Sequence, residues 1–234
     1  MRILDSNEYI SEKLTIQPVT KDMLSRMKEG ISVDEKVRRF IEENNLKWNP
    51  KTMSYDCDGD VRVSEDIVID GKLKIRFGKI SGGFYCRKNG LTTLEGAPQE
   101  VSGNFDCSIN KLTTLEGAPQ YVGGGVYCGV NKLTTLEGAP QKVGVYFNCF
   151  NNQLTTLEGA PKEVGGYFNC SDNKLTTLEG APKKVGGDFG CYNNKLTSLE
   201  GAPKKIDGDF LCSHNPNLVL PKEKPNWLKG KIIS

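Results

Sequence analysis

The run Leu91-Thr92-Thr93-Leu94-Glu95-Gly96-Ala97-Pro98 returns almost unchanged at Leu112, Leu133, Leu154, Leu175 and Leu196, each copy 21 residues after the last (112 − 91 = 21). A repeat this short cannot close a core of its own. It buries its apolar side only by stacking on the next copy, so a fixed period of this size marks a solenoid rather than a globular domain. The expected fold class is an α/β solenoid: a right-handed coil of seven to eight turns, mostly β and loop, with a short parallel β-sheet and a small helical N-terminal cap.

One copy shows how the coil is built. In Phe189-Gly190-Cys191-Tyr192, Phe189 and Cys191 stand two apart and point to one side of a short strand, inward, while Gly190 and Tyr192 point out. Asn194 recurs at Asn89, Asn110, Asn131, Asn152, Asn173 and Asn215. An asparagine at a bend can bond backbone groups of its own and the neighbouring coil, so this column predicts a ladder. Leu196 and Leu199 bury the next side. The Glu-Gly-Ala-Pro turn then brings the chain back, Gly supplying unusual dihedrals and Pro fixing the corner.

The cysteines obey the same period. Cys86, Cys107, Cys128, Cys149, Cys170, Cys191 and Cys212 are one structural position met seven times. Side chains on coils about 4.8 Å apart point the same way, which is poor geometry for a disulfide, and they read as small apolar fillers of the core. Zinc sites want clustered ligands such as C-x₂₋₄-C; no such pair occurs, and the single histidine, His214, reads as a surface substitution. No cofactor or metal is expected. Asp56-Cys57-Asp58-Gly59-Asp60 is an acidic turn before a strand rather than a calcium loop, since its Gly comes too early and no Glu stands at the twelfth position.

Four segments follow: an N-terminal stretch and helical cap (1–50), a degenerate first coil containing Val61 and Val63 (51–81), the regular array (82–217) and a C-terminal cap (218–234). A short helix is expected over Lys21 to Lys28, capped by Thr20. A second is expected over residues 33 to 44, where Ser32 and Glu35 form a capping box and Val33, Val37, Phe40 and Ile41 share a face. It would cover the open end of the solenoid. Trp227, Leu228, Ile232 and Ile233 would close the other end. The formal charge of +2 supplies no global field for nucleic acid or an anionic membrane. No apolar run suits a signal peptide or a membrane span, so the expected location is the cytoplasm.

The pattern Phe-x-Cys-x-x-Asn-x-Leu, set in the frame L-x-x-L-x-L-x-x-N-x-L, resembles the leucine-rich repeat in a short form, with Phe and Cys at two of the Leu positions. The wording Leu-Thr-Thr-Leu-Glu-Gly-Ala-Pro, Val-Gly-Gly, Phe-x-Cys is similar to leucine-rich-repeat proteins of tailed bacteriophages, over about residues 55 to 220. Ile10 to Lys21 also resembles N-terminal segments at the head of phage proteins. The resemblance implies an interaction scaffold without a catalytic motif, phage-encoded, in the host cytoplasm, with a host or virion protein as partner. The alternative it implies is a structural virion component docked by its N-terminal segment.

Positions that never vary among the copies build the coil, and outward positions that vary are free to bind. Those flanking the Phe and Cys columns contain Tyr85, Tyr127, Tyr146, Phe150, Tyr167 and Tyr192, with Asp106, Asn148, Asn169, Asp188 and Asp209 as a polar and partly acidic rim. Tyr127, Tyr146, Phe150 and Tyr167 fall on adjacent coils, in a patch roughly 10 to 15 Å long. Exposed aromatic clusters bury much area at low rotamer cost, so this is the candidate partner-binding face, and the same rings packing for sheet stability is its competing explanation. A Glu column (Glu95, Glu116, Glu137, Glu158, Glu179, Glu200) reads as a solvated face, with Lys111, Lys132, Lys174, Lys195, Lys184 and Lys205 as candidate compensating charges. Lys183, Lys184, Lys204, Lys205, Lys222, Lys224, Lys229 and Lys231 form a locally basic region without interleaved aromatics, which disfavours nucleic acid. No Ser/His/Asp set, phosphate loop or metal cluster suggests an enzyme.

Overall fold

The structure is a computed structural model that describes residues 32–234, with side chains from Glu35 onward. The helix expected over Lys21 to Lys28 and the segment from Ile10 lie outside the described residues. The chain winds as a β-solenoid in which successive short strands alternate between two nine-stranded sheets. One sheet runs along the Val column, from Lys47–Asn49 and Ser54–Cys57 to Lys205–Ile206. The other runs along the Phe column, from Val61–Arg62 to Ile232–Ile233. The Val sheet was not separated in the sequence because its repeat strands are two residues long with a single inward side chain, too short for alternation to register. There are more turns than the expected seven to eight because residues after Asn217 wind as well, Phe210 pairing with Ile232; in the coil expected before Gly82, Val61 pairs with Phe84.

Strands this short hold because every side of a coil is bonded to the next. Around one turn, Phe147 N donates to Tyr167 O (3.0 Å), Cys149 N to Asn169 O (2.9 Å), Gln153 N to Leu133 O (2.9 Å) and Leu157 N to Glu179 O (2.8 Å). Inside, the Val, Phe, Cys and paired Leu columns are almost wholly buried. The Phe rings stack at 5.4, 5.2 and 5.5 Å from Phe147 to Phe210, and at 6.1 Å between Phe84 and Phe105; Val126 interrupts the stack between them. The eight cysteines are buried and unpaired. Several donate to a carbonyl of the next coil, such as Cys149 Sγ to Asn169 O at 3.3 Å. Burial pushes the column thiols up, away from the reactive thiolate.

The asparagine ladder is present, and Asn89 begins it with bonds to Val63 O (3.1 Å) and Arg87 O (3.0 Å). Asn152 Nδ2 donates to Cys149 O (3.0 Å) in its own coil and to Cys128 O (3.1 Å) one coil back, while its Oδ1 accepts Leu133 N (3.0 Å). The pattern repeats from Asn110 to Asn215. The residue before each ladder asparagine is left-handed, which orients the bend: Lys88, Ile109, Val130, Asn151, Asp172, Asn193 and His214 have φ between 52° and 57°. At the turn Gly138 (φ 88°) has a second reason to lack a side chain. A Cβ there would lie 2.4 Å from Glu116 N and Leu115 O in the preceding coil.

Both ends are covered as expected. Helix α1 (Ser32–Glu43) buries Val37 and Phe40, with Phe40 edge-on to Phe77 at 6.4 Å. Trp48 packs on Tyr55 at 5.1 Å in an antiparallel pair that ends the Val sheet. At the other end Trp227 meets Phe210 edge-on at 5.7 Å, and Leu228 bridges to Ile206. The acidic turn is consumed by structure: Asp56 accepts Lys79 N and Asn49 Nδ2, Asp60 accepts Gly83 N, and Asp58 pairs with Lys47. In the Glu column only Glu95 forms an ion pair among the described residues, with Lys72 at 3.8 Å. The lysines expected to compensate the other glutamates do not reach them.

Asn152→Leu keeps the volume but strands two carbonyls and one amide. The expected loss is about 3 kcal/mol, read as a lower urea midpoint.

Candidate functional site

The Phe sheet shows its outward face through three columns. The residues just before Phe form the first. Asp60, Asn104, Asp188 and Asp209 each accept the backbone N–H at the same place one coil on: Gly83 at 2.7 Å, Gly125 at 2.8 Å, Asp209 at 2.8 Å and Lys231 at 2.8 Å. Among the described residues, the N–H groups of Asn104, Tyr146, Tyr167 and Asp188 have no such side-chain partner, because Gly83, Gly125, Tyr146 and Tyr167 stand one coil earlier. Three successive middle coils thus forgo the cap, as the coil of Asn104 does near the start of the array. Asp188, expected on the binding rim, is exposed but serves as one of these caps.

The column between Phe and Cys turns on itself. Asp106 Oδ1 accepts Ser108 N at 3.0 Å and also the Ser108 hydroxyl; Asn148 Oδ1 accepts Phe150 N at 3.2 Å; Asn169 Oδ1 accepts Ser171 N at 3.0 Å. Asn169 is only 7% exposed, which corrects its expected place on the contact surface. Its cover is local: a Cβ at Gly190 would lie 2.4 Å from the Tyr167 hydroxyl and 3.3 Å from Asn169 Oδ1, so Tyr167 lies across the place that Gly190 vacates.

The other rings lie down in the same manner. Tyr127 lies against Gly125 and Tyr85 against Gly83, while the Phe150 ring would be 2.4 Å from a Cβ at Gly129. Tyr85 also carries the Arg62 guanidinium 4.4 Å from its centroid. Tyr85, Tyr127, Phe150, Tyr167 and Tyr192 are therefore half-buried, and Tyr146 is the candidate that stands out, at 45% exposure. Burial first, then Tyr192 close by, pushes the Tyr167 phenol up to about 12. Burial also raises Tyr127, with Tyr146 and Asp106 adding to it.

Two exposed apolar residues were not picked out in the sequence: Val145 (39%), next to Tyr146, and Tyr121 (55%), on the Val sheet. A signal existed. Val145 alone breaks a column that is otherwise Gly103, Gly124, Gly166, Gly187 and Gly208, and Tyr121 alone breaks the charged column Glu100, Lys142, Glu163, Lys184, Lys205.

Between Tyr127 and Phe150 lies a notch of about 160 Å³, whose lining includes Gly129, Asp106, Arg87, Ile109 and Val130. Ile109 (φ 55°) and Val130 (φ 56°) hold the left-handed position with β-branched side chains, where the later coils use Asn, Asp or His. A larger groove of about 620 Å³ follows the Glu-Gly-Ala-Pro turns at Glu95 and Glu116, but the residues there are mostly those that every copy shares.

Among the described residues no three His, Cys, Asp or Glu side chains are placed to hold a metal ion. No described helix is long and apolar enough to cross a membrane. No protein-family model, curated protein or solved structure matches the chain. Its class therefore rests on its own geometry: a repeat protein with a β-solenoid fold.

Two outcomes test this geometry. Val130→Asn relieves the left-handed strain and raises stability by about 1 kcal/mol in urea unfolding. A phenol whose folded pKa lies above its unfolded value, about 10, contributes stability below pH 10 and loses it as the pH climbs toward 12. Unfolding midpoints should fall across that window, and fall less in Tyr167→Phe.

Proposed function

We propose that this chain is a non-enzymatic scaffold that binds another protein through the outward face of its Phe sheet, centred on the coils of Tyr127 and Tyr146. One observation carries the reading: departures from the repeat gather here. The Phe stack is interrupted at Val126, the backbone caps are replaced by Tyr146 and Tyr167, Val145 replaces a glycine, and β-branched residues take a strained bend. Local rules broken together, without a packing gain to balance them, are expected at functional surfaces. Large, partly exposed aromatics are also the side chains that dominate protein interfaces.

The resemblance to the leucine-rich repeat supports the same reading, and its phage-borne form points to a host or virion protein as the partner. Immobilised wild type should capture a partner from host or infected-cell lysate. A Tyr127→Ala/Tyr146→Ala/Phe150→Ala variant with unchanged circular dichroism should lose at least about tenfold of that affinity, as truncation of interface anchors does. Equal capture by both proteins would overturn the assignment to this face.

A further inference from the structure

The charges of the array are segregated. From Asn104 to Ser213 the three outward columns of the Phe sheet contain Asp106, Asp188 and Asp209 and no Lys or Arg. Within that span the cations sit elsewhere, on the Val sheet and turns (Lys142, Lys162, Lys183, Lys184, Lys204, Lys205) and beside the Leu column (Lys111, Lys132, Lys174, Lys195); Arg87, one coil earlier, is the cation that the array does place in these columns. A chain of net charge +2 thus presents one face that is aromatic and acidic. Among the described residues none of these three aspartates is in an ion pair, although Asp106 shares its notch with Arg87.

The first coil supplies an internal example of what such a face accepts. Arg62 pairs in register with Tyr85 and lays its guanidinium 4.4 Å from the ring centroid. The next tyrosine in that column is Tyr127, in register with Asp106, and among the described residues no cation lies over its ring. An aromatic wall on either side of a carboxylate is the environment that holds a guanidinium or ammonium group.

We infer that the partner bound by this face presents a basic, extended segment, with an Arg or Lys head group seated between Tyr127 and Phe150 beside the Asp106 carboxylate. This rests on the interaction reading above and adds the chemistry of the partner. Asp106 and Asp188 lie four coil steps apart, about 19 Å at about 4.8 Å per step. An extended chain covers that span in about six residues, so a second cation six positions on would meet Asp188. Tyr146 and Tyr167 lie on the coils between and contact the intervening residues. Arg87, which also lines the notch, opposes the bound cation.

The test uses ¹⁵N-labelled protein titrated with an acetylated, amidated heptapeptide carrying Arg at its first and last positions and Gly and Ser between. Parallel titrations replace both Arg by Glu or by Leu. The Arg peptide should shift the amide signals of Tyr127, Gly129 and Phe150 saturably, and more weakly as salt rises. Asp106→Asn should weaken it at least fivefold; the fold survives, because Asn148 and Asn169 make the same turn in that column. Arg87→Glu should tighten it. If the Glu or Leu peptide binds at these signals as well as the Arg peptide, the cationic partner is wrong while the docking face stands. If no peptide moves any signal of this face, both fall.

Discussion

The structure depends on one constraint: the backbone amides and carbonyls that a coil buries along the axis must find partners in the coil above or below. Strands of two residues supply few of these bonds, so side chains finish the work. Asn152 joins Cys149 O, Cys128 O and Leu133 N, and so ties three backbone groups of two coils to one amide. Because the same demand arises once per turn, the same residue recurs once per turn. The period is thus a record of hydrogen-bond satisfaction as much as of apolar burial.

Close stacking also decides where side chains are forbidden. Gly144, Gly165 and Gly186 each have the carbonyl oxygen of the preceding coil about where a Cβ would go, at 1.9 to 2.1 Å. On the Phe sheet, glycine has a second use. Gly83, Gly125, Gly129 and Gly190 make room for the rings of Tyr85, Tyr127, Phe150 and Tyr167. The aromatics are therefore partly scaffold and partly surface, and the large apolar side chains that stand exposed beside them are Val145 and Tyr146 in the middle coils, with Ile233 at the C-terminal edge of the sheet. Packing for stability, the competing explanation for this cluster, accounts for the rings lying on glycines. It does not account for Tyr146 or for the forgone caps.

Much of this was legible from residue spacing. The columns of Phe, Cys, Leu and Asn, the turn glycine and the burial of the thiols follow from period and chemistry alone, because those positions meet their own equivalents in the adjacent coils. Helix α1 was legible from Ser32, Glu35 and the spacing of Val37, Phe40 and Ile41. The Val sheet was not, since two residues with a single inward side chain do not make an alternation. The use of Asp188 as a backbone cap was hidden for another reason: its partner is 21 residues away and the bond runs along the axis, not along the strand.

The sequence by itself determined which side of the coil each residue starts from, because Cβ direction alternates along a strand and the repeat carries that alternation around every turn. Only the tertiary structure decided what remains exposed, because exposure depends on what the neighbouring coils lay across a residue. Asn169 points from the outward column yet is covered beside Tyr167 and Gly190, while Val145 stands clear where other copies have glycine. The notch between Tyr127 and Phe150 arises in the same way. Its floor is Gly129, its walls come from different coils, and stacking alone brings Asp106 between them.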